Sequence, residues 1–221
     1  MNIEVRLFNI HDKIKFKGNL KCELPEQLMT LKHLKSSDCV LELGGSCGRN
    51  SCVINHILAN KKNHVVVEPS TRELSILNEN RNNNNFAYHI ENSAISDRPL
   101  FSKDWYTFYK EIPGSVPVNI ISYNQLKKKY QLSFTALIID NEGHFVNMLK
   151  AFPDILCGIK LLIIEHDFNS FDDIDYFNKT MTDHHFYLVD KFLKTDKYGP
   201  GKNWSDGVKG DPVFVSVWKS T

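Results

Sequence analysis

Val40-Leu41-Glu42-Leu43-Gly44-Gly45-Ser46-Cys47-Gly48, followed by Val65-Val66-Val67-Glu68-Pro69, is the stretch whose reading decides the fold. An apolar run that stops at a glycine turn, and a second apolar run that stops at a single acid, predict two buried parallel strands joined by a crossover helix. Glycine lets a backbone approach a ligand where a side chain would collide. An acid at the tip of the second strand, Glu68, is placed to accept both hydroxyls of a ribose. The pair therefore predicts a site for a nucleoside-bearing cofactor. A dinucleotide fingerprint requires G-x-G-x-x-G, but counting from Gly44 the other two positions hold Ser46 and Arg49, which argues against a nicotinamide cofactor.

Composition narrows the class further. With 221 residues, 42% hydrophobic and 24% charged, the chain is expected to form one domain over residues 1–221 with a full core. Lys+Arg of 27 against Asp+Glu of 26 leaves a net charge of +1, so no global field draws a polyanion, and nucleic acid is not the expected partner. Five scattered cysteines without metal-ligand spacing read as reduced core residues of an intracellular protein. No apolar run approaches the length of a membrane span or a secretory signal, so a soluble, cytoplasmic protein is expected.

Working outward from the opening stretch, residues 1–36 read as a lead-in with a helix from Pro25 to about Leu34, whose Leu28, Leu31 and Leu34 share one face. Strands at 38–43, 63–68 and 86–91 then alternate with helices at 48–60 and 71–80. Residues 97–117, rich in aromatics, break the rhythm as an irregular excursion or lid. Alternation resumes with a helix at 123–130, a strand at 134–140, a helix at 143–152, a strand at 159–165 and a helix at 172–182. Two strands close the chain, 186–192 and 212–218, separated by a rim loop at 194–211 that holds Tyr198 and Trp204. Repeated strand–helix alternation predicts a parallel, doubly wound α/β sheet. Two successive strands without a helix between them make the last one antiparallel. The expectation is a Rossmann-like sheet of seven strands with an antiparallel last strand.

The spacing Glu42, Gly44, Gly48 is that of S-adenosylmethionine-dependent methyltransferases. Five further pieces follow in order: Val66-Val67-Glu68-Pro69-Ser70, Asn92-Ser93-Ala94-Ile95-Ser96-Asp97, Tyr123-Asn124-Gln125-Leu126, Ile138-Ile139-Asp140-Asn141-Glu142-Gly143 and Leu162-Ile163-Ile164-Glu165. Over residues 38–168 the chain resembles the FkbM-type methyltransferases, a family that O-methylates sugars and natural products. The resemblance implies S-adenosylmethionine as cofactor and a sugar hydroxyl, on a nucleotide sugar or a glycan, as acceptor. It departs from the family at His144 and Phe145, where a small residue and a second acid are usual, and at Gly45-Ser46 in the glycine turn.

Cofactor contacts are expected from Glu42, Gly44, Gly45, Ser46, Gly48, Glu68, Pro69, Ser93, Ala94 and Asp140. Glu42 is placed to order the turn or to hold the methionine amino group, and Ser93 and Ala94 to bracket the adenine. Gly44 and Gly48 also suit close helix–strand packing. In open α/β sheets ligands bind beyond the carboxyl ends of the strands, which selects Asp140 for the active site. His166, one residue beyond the next strand, is the first candidate for a base that removes the acceptor proton, and His144 the second. Asp140, Asp167 and Asp97 are placed for an optional Mg²⁺, although no spacing demands a metal. His184-His185 reads as a solvent-facing or strand-entry pair. The aromatics at 105–109, with Tyr198 and Trp204, are either core plugs or walls of an acceptor pocket. Methylation of RNA or protein, and a non-catalytic cofactor-binding scaffold, are the alternative functions. A second copy of the chain is the only protein partner considered.

Overall fold

The computed structural model describes residues 2–201 and 207–221. Helices α1 (Ile3–His11) and α2 (Leu24–His33) precede β1 (Val40–Leu43), α3 (Arg49–Ile57), β2 (His64–Val67), α4 (Thr71–Asn83) and β3 (His89–Glu91). Five short strands follow: β4 (Ala94–Ile95), β5 (Leu100–Lys103), β6 (Tyr106–Phe108), β7 (Val116–Val118) and β8 (Ile120–Ile121). Then come α5 (Tyr123–Tyr130), β9 (Ala136–Ile139), α6 (Phe145–Ala151), a 3₁₀ turn (Pro153–Leu156), β10 (Leu161–Glu165), α7 (Phe171–Asp183), β11 (Phe186–Leu193) and β12 (Val213–Ser220).

Seven of these strands form one sheet in the order β3-β2-β1-β9-β10-β12-β11. From β3 to β10 all neighbours are parallel. The last strand, β12, inserts between β10 and β11 and runs antiparallel to both. The expected seven-stranded doubly wound sheet with an antiparallel last strand is thus present.

Strand residues alternate between two buried faces, and the alternation places every side chain of the site. Leu41, Leu43, Leu137, Ile139, Leu162 and Ile164 pack into one cluster with Phe145 and Phe177 of α6 and α7. Val40, Ile138 and Ile163, one residue out of step, pack on the other face with Met29 of α2 and Ile54 of α3. Each face is covered by helices, which is why the parallel strands are mostly apolar, with Glu42 and His64 as buried exceptions.

The structure departs from the sequence reading in two places. Helix α1 was not expected. Its Leu7 and Ile10 are buried against Leu24, Leu28 and Leu31 of α2. Residues 97–117 are not irregular, since β5, β6 and β7 pair antiparallel in the order β6-β5-β7. The parallel pair β4–β8 joins this small sheet to the body. Asp104 takes φ 56° in the tight β5–β6 turn, a conformation Asp tolerates better than most residues. Pro117 is accommodated because β7 is an edge strand, where one N–H is dispensable. His184 and His185 are exposed at the α7–β11 turn, as expected. Trp204 lies outside the described residues. No helix among the described residues is long and apolar enough to cross a membrane.

Candidate active site

A cavity of about 600 Å³ opens beyond the carboxyl ends of β1, β2, β9 and β10. This size suits a cofactor or another small molecule. The strand-end rule places it there, and the glycine turn after β1 shapes its floor. Gly44 (φ +85°) lies so close to the Asp140 backbone that a Cβ would run into its carbonyl oxygen. Gly45 packs on Val66 in the same way, and Gly48 packs on Leu77 at 2.8 Å from a built Cβ. The three glycines therefore serve packing first. Gly44 and Ser46 also line the cavity, Gly45 lines a smaller recess behind it, and Gly48 faces neither.

Glu68 forms part of the cavity wall. Its two oxygens accept the backbone N–H groups of Ser46 and Ser70, both at 2.7 Å. These bonds fix the carboxylate and leave one lone pair on each oxygen for a ligand hydroxyl. Burial raises its pKa, and the two backbone donors work against that rise. Pro69, Ala94 and Ile95 continue the wall. Ser93 does not belong to it: its hydroxyl donates to Glu91 at 3.3 Å, and the side chain is buried away from the cavity. Glu42 does not line the main cavity either. It points to the α2–α3 side of the sheet, where its carboxylate meets the buried His64 imidazole at 2.8 Å and borders only the recess.

Asp140 lines both spaces, as does Glu165, which stands beside it at the end of β10. The two carboxyls act on each other electrostatically. Burial, with the neighbouring charge of Glu23, pushes Asp140 up to about 8. Burial and the Asp140 charge hold Glu165 well above the ordinary carboxylate range. His144 is on the cavity wall, its ring 5.8 Å from Tyr109, and burial lowers its pKa to about 4, so it is neutral at neutral pH.

His166 is not in the cavity. Successive strand residues point to opposite faces, so Glu165 turns toward α2 and His166 toward α7. Its Nδ1 meets Asp211 at 2.8 Å and its Nε2 meets the Ser216 hydroxyl at 2.8 Å, so both ring nitrogens are engaged in tying β10 to β12. Asp97 pairs with Arg98 on the surface, and among the described residues no group of three His, Cys, Asp or Glu side chains is arranged to hold a metal ion.

Several lining residues were not singled out from the sequence. Glu23, in the left-handed region at the start of α2 (φ 57°), receives Arg49 Nη1 at 2.6 Å. Lys21, Ser102, Thr107 and Met148 complete the walls. Trp105, half-exposed on the β5–β6 turn, is a wall of the cavity, and Tyr198 both faces the cavity and packs against the cluster of α1 and α2. The strand-end rule applied to Asp140 also selects Glu165. Nothing in the local sequence of Glu23 marks it out, because an acid at a helix start is usually explained by the helix dipole.

With the strand order and the cavity placed, the chain can be set against solved structures. The m1A22 tRNA methyltransferase of B. subtilis superposes with a TM-score of 0.55 at 13% identity, covering 92% of this chain and 68% of that one. Aeropyrum pernix fibrillarin, solved with bound S-adenosyl-L-methionine, gives 0.53 at 12% identity over 90% of this chain and 75% of that one. A ribosomal protein L11 methylase from Lactobacillus delbrueckii subsp. bulgaricus gives 0.52 at 9% identity over 93% and 81%. The fold is the Rossmann-like methyltransferase fold. No family model matches the sequence, and no curated protein does either.

Proposed function

We propose that the protein is an S-adenosylmethionine-dependent methyltransferase acting on a small molecule. The observation that carries this reading is the Glu68 carboxylate, fixed on the cavity wall by Ser46 and Ser70 with acceptor capacity to spare. The donor set suits the cofactor. Glu68 would hold the ribose hydroxyls, Ala94 and Ile95 offer an apolar wall to the adenine, and the acidic floor of Asp140 and Glu165 complements a cationic end. When bound, the cofactor supplies an electrophilic methyl group. The chain's own work is to hold the acceptor in line and to take its proton. Of the residues on the wall, Asp140, raised to about 8, is better matched to that task near neutral pH than His144 at about 4.

The FkbM resemblance supports a hydroxyl on a sugar as acceptor. The Trp105 and Tyr198 rings and the Ser102 and Thr107 hydroxyls on the walls are the kinds of group that bind sugars. The acidic lining is a poor match for the phosphates of RNA, so the small-molecule reading is preferred to RNA methylation. Calorimetry with S-adenosylmethionine, S-adenosylhomocysteine and NAD tests the proposal. Binding of the first two and not of NAD is expected, and NAD binding alone would end this reading.

A further inference from the structure

Lys13-Ile14-Lys15-Phe16-Lys17, between α1 and α2, alternates exposed lysines with half-buried apolar residues. The segment belongs to none of the sheets, yet its backbone is held as if by a neighbouring strand. Asn84, at the end of α4, accepts the Lys15 N–H at 2.8 Å and donates to the Lys15 carbonyl at 3.0 Å. Asn80, one helical turn earlier and fully buried, does the same for Lys17 at 2.6 Å and 3.3 Å, and also donates to the Cys47 carbonyl in the glycine turn. Four residues of helix rise about 6 Å, and two residues of extended chain about 6.6 Å. That match lets two asparagines four apart hold alternate residues of one chain.

These bonds use main-chain atoms only, so nothing in them requires lysine at 13, 15 or 17. Of the three, only Lys17 has an ion-pair partner among the described residues, Glu79 at 2.7 Å on the surface. More positive charge lies beside Lys13. Lys61 donates to the His56 carbonyl at 2.8 Å, and burial, with the charges of Lys61 and Lys13, lowers the pKa of the His56 ring. In the other direction the chain runs to the cavity. The Asn19 carbonyl accepts Arg49 Nε at 3.2 Å, and both Arg49 and Lys21 line the cavity. Four residues of chain put the Lys17 and Lys21 Cα atoms within about 14 Å of each other.

We propose that this row of lysines docks an acidic polysaccharide whose uncharged terminal sugar is the acceptor in the cavity. The proposal rests on the sugar-acceptor reading of the cavity and adds the class of glycan. Acids on the cavity walls disfavour a negative group on the terminal sugar. The charges therefore belong to the chain behind it, where Lys13, Lys15 and Lys17 meet them. Because Asn80 and Asn84 fix the backbone of the row beforehand, docking orders side chains only. RNA fits less well, since it would carry phosphates to the acid-lined cavity as well.

Calorimetry on the full chain at low salt compares two probes of equal length. One is a hyaluronan oligosaccharide, in which acidic and uncharged sugars alternate, and the other a chitin oligosaccharide, whose sugars carry no charge. The first is expected to bind about tenfold more tightly, with the advantage lost at high salt. Reversing two charges on the row, Lys13→Glu with Lys15→Glu, removes the advantage. Reversing two exposed charges beside Leu126 and Val208 on the α6–α7 side of the sheet, Lys128→Glu with Lys209→Glu, leaves it. The proposal is overturned if neither probe binds, if the two bind equally, or if both double variants lose the advantage alike. It is also overturned if poly(U), or vesicles of phosphatidylglycerol, displace hyaluronan at lower concentrations than hyaluronan itself requires, because the row would then serve RNA or a membrane. Trp105→Ala tests the cavity separately, and is expected to weaken both oligosaccharides by the same factor. If it changes neither while the row variant still removes the hyaluronan advantage, the sugar-acceptor reading of the cavity fails and the row stands as a site for acidic glycans.

Discussion

A carboxylate that accepts two backbone N–H bonds, as Glu68 does from Ser46 and Ser70, holds together the glycine turn and the start of α4 whether or not a ligand is present. Glu68→Ala therefore has two expected effects. It weakens S-adenosylhomocysteine by roughly 1.5–3 kcal/mol, the size of hydrogen bonds to a charged group, and it lowers the Tm because two backbone donors lose their partner. Unchanged affinity, by calorimetry, would remove Glu68 from the site. His166 behaves oppositely. His166→Ala removes one partner each from Asp211 and Ser216, which keep their bonds to Val213 N–H and the Trp218 indole, and is expected to cost roughly 1.5–3 kcal/mol of stability in a denaturant titration, with cofactor affinity intact. The Asp140–Glu165 pair makes stability depend on pH. Asp140 ordinarily titrates near 3.8 and here near 8, so between those values the folded protein keeps a proton that the unfolded chain releases. Its contribution is complete below about pH 4 and is lost as pH rises through about 8. Tm of the ligand-free protein should fall across that window, and Asp140→Asn should flatten the fall. A Tm that rises from pH 5 to 8 and is untouched by the substitution would contradict the assignment.

At the scale of elements, the close approach of the β1 turn to the end of β9 is the least forgiving contact. Gly44→Ala combines φ +85° with a Cβ driven into the Asp140 carbonyl, so the strand ends must part. Gly201→Ala carries a similar φ (+93°) but meets nothing within 4 Å among the described residues, and should cost only about 1–2 kcal/mol. Comparing the Tm of the two variants separates backbone strain from collision. Equal losses would show that the turn has room to give. These elements were legible in the sequence because β1, β2, β9 and β10 are buried on both faces and read as apolar runs, broken only by Glu42 in β1, that end at a Gly or an acid. The small β5–β7 sheet was not legible, since strands of three or four half-exposed residues give no such run. Helix α1 was missed because it spans nine residues in which only Leu7, Ile10 and His11 are buried. His166 stands one residue past Glu165, the acid that lines the cavity, and one residue in a strand changes the face.

The whole molecule carries a charge of +1, yet its cavity is lined by six acids, Glu23, Glu68, Asp104, Asp140, Glu142 and Glu165, against Lys21 and Arg49 among the described residues. Affinity for nucleic acid comes largely from cations that neutralise phosphates, with non-specific binding near 10⁻⁴–10⁻⁶ M at physiological salt. Electrophoretic mobility with transfer RNA should show nothing tighter than that range. A retained, salt-resistant complex would instead favour an RNA acceptor. The placing of β12 between β10 and β11 has a further consequence, for synthesis on the ribosome. When β11 emerges, the strand that will join it to the sheet is still inside the exit tunnel, so β11 and the open edge of β10 both wait unpaired. The nascent chain can assemble β1 to β10 early, but the β10 edge closes and Ser216 meets His166 only once β12 is free of the exit tunnel. Pauses in translation between residues 193 and 213 would prolong that wait, and the exposed edge is where a nascent-chain chaperone would be needed.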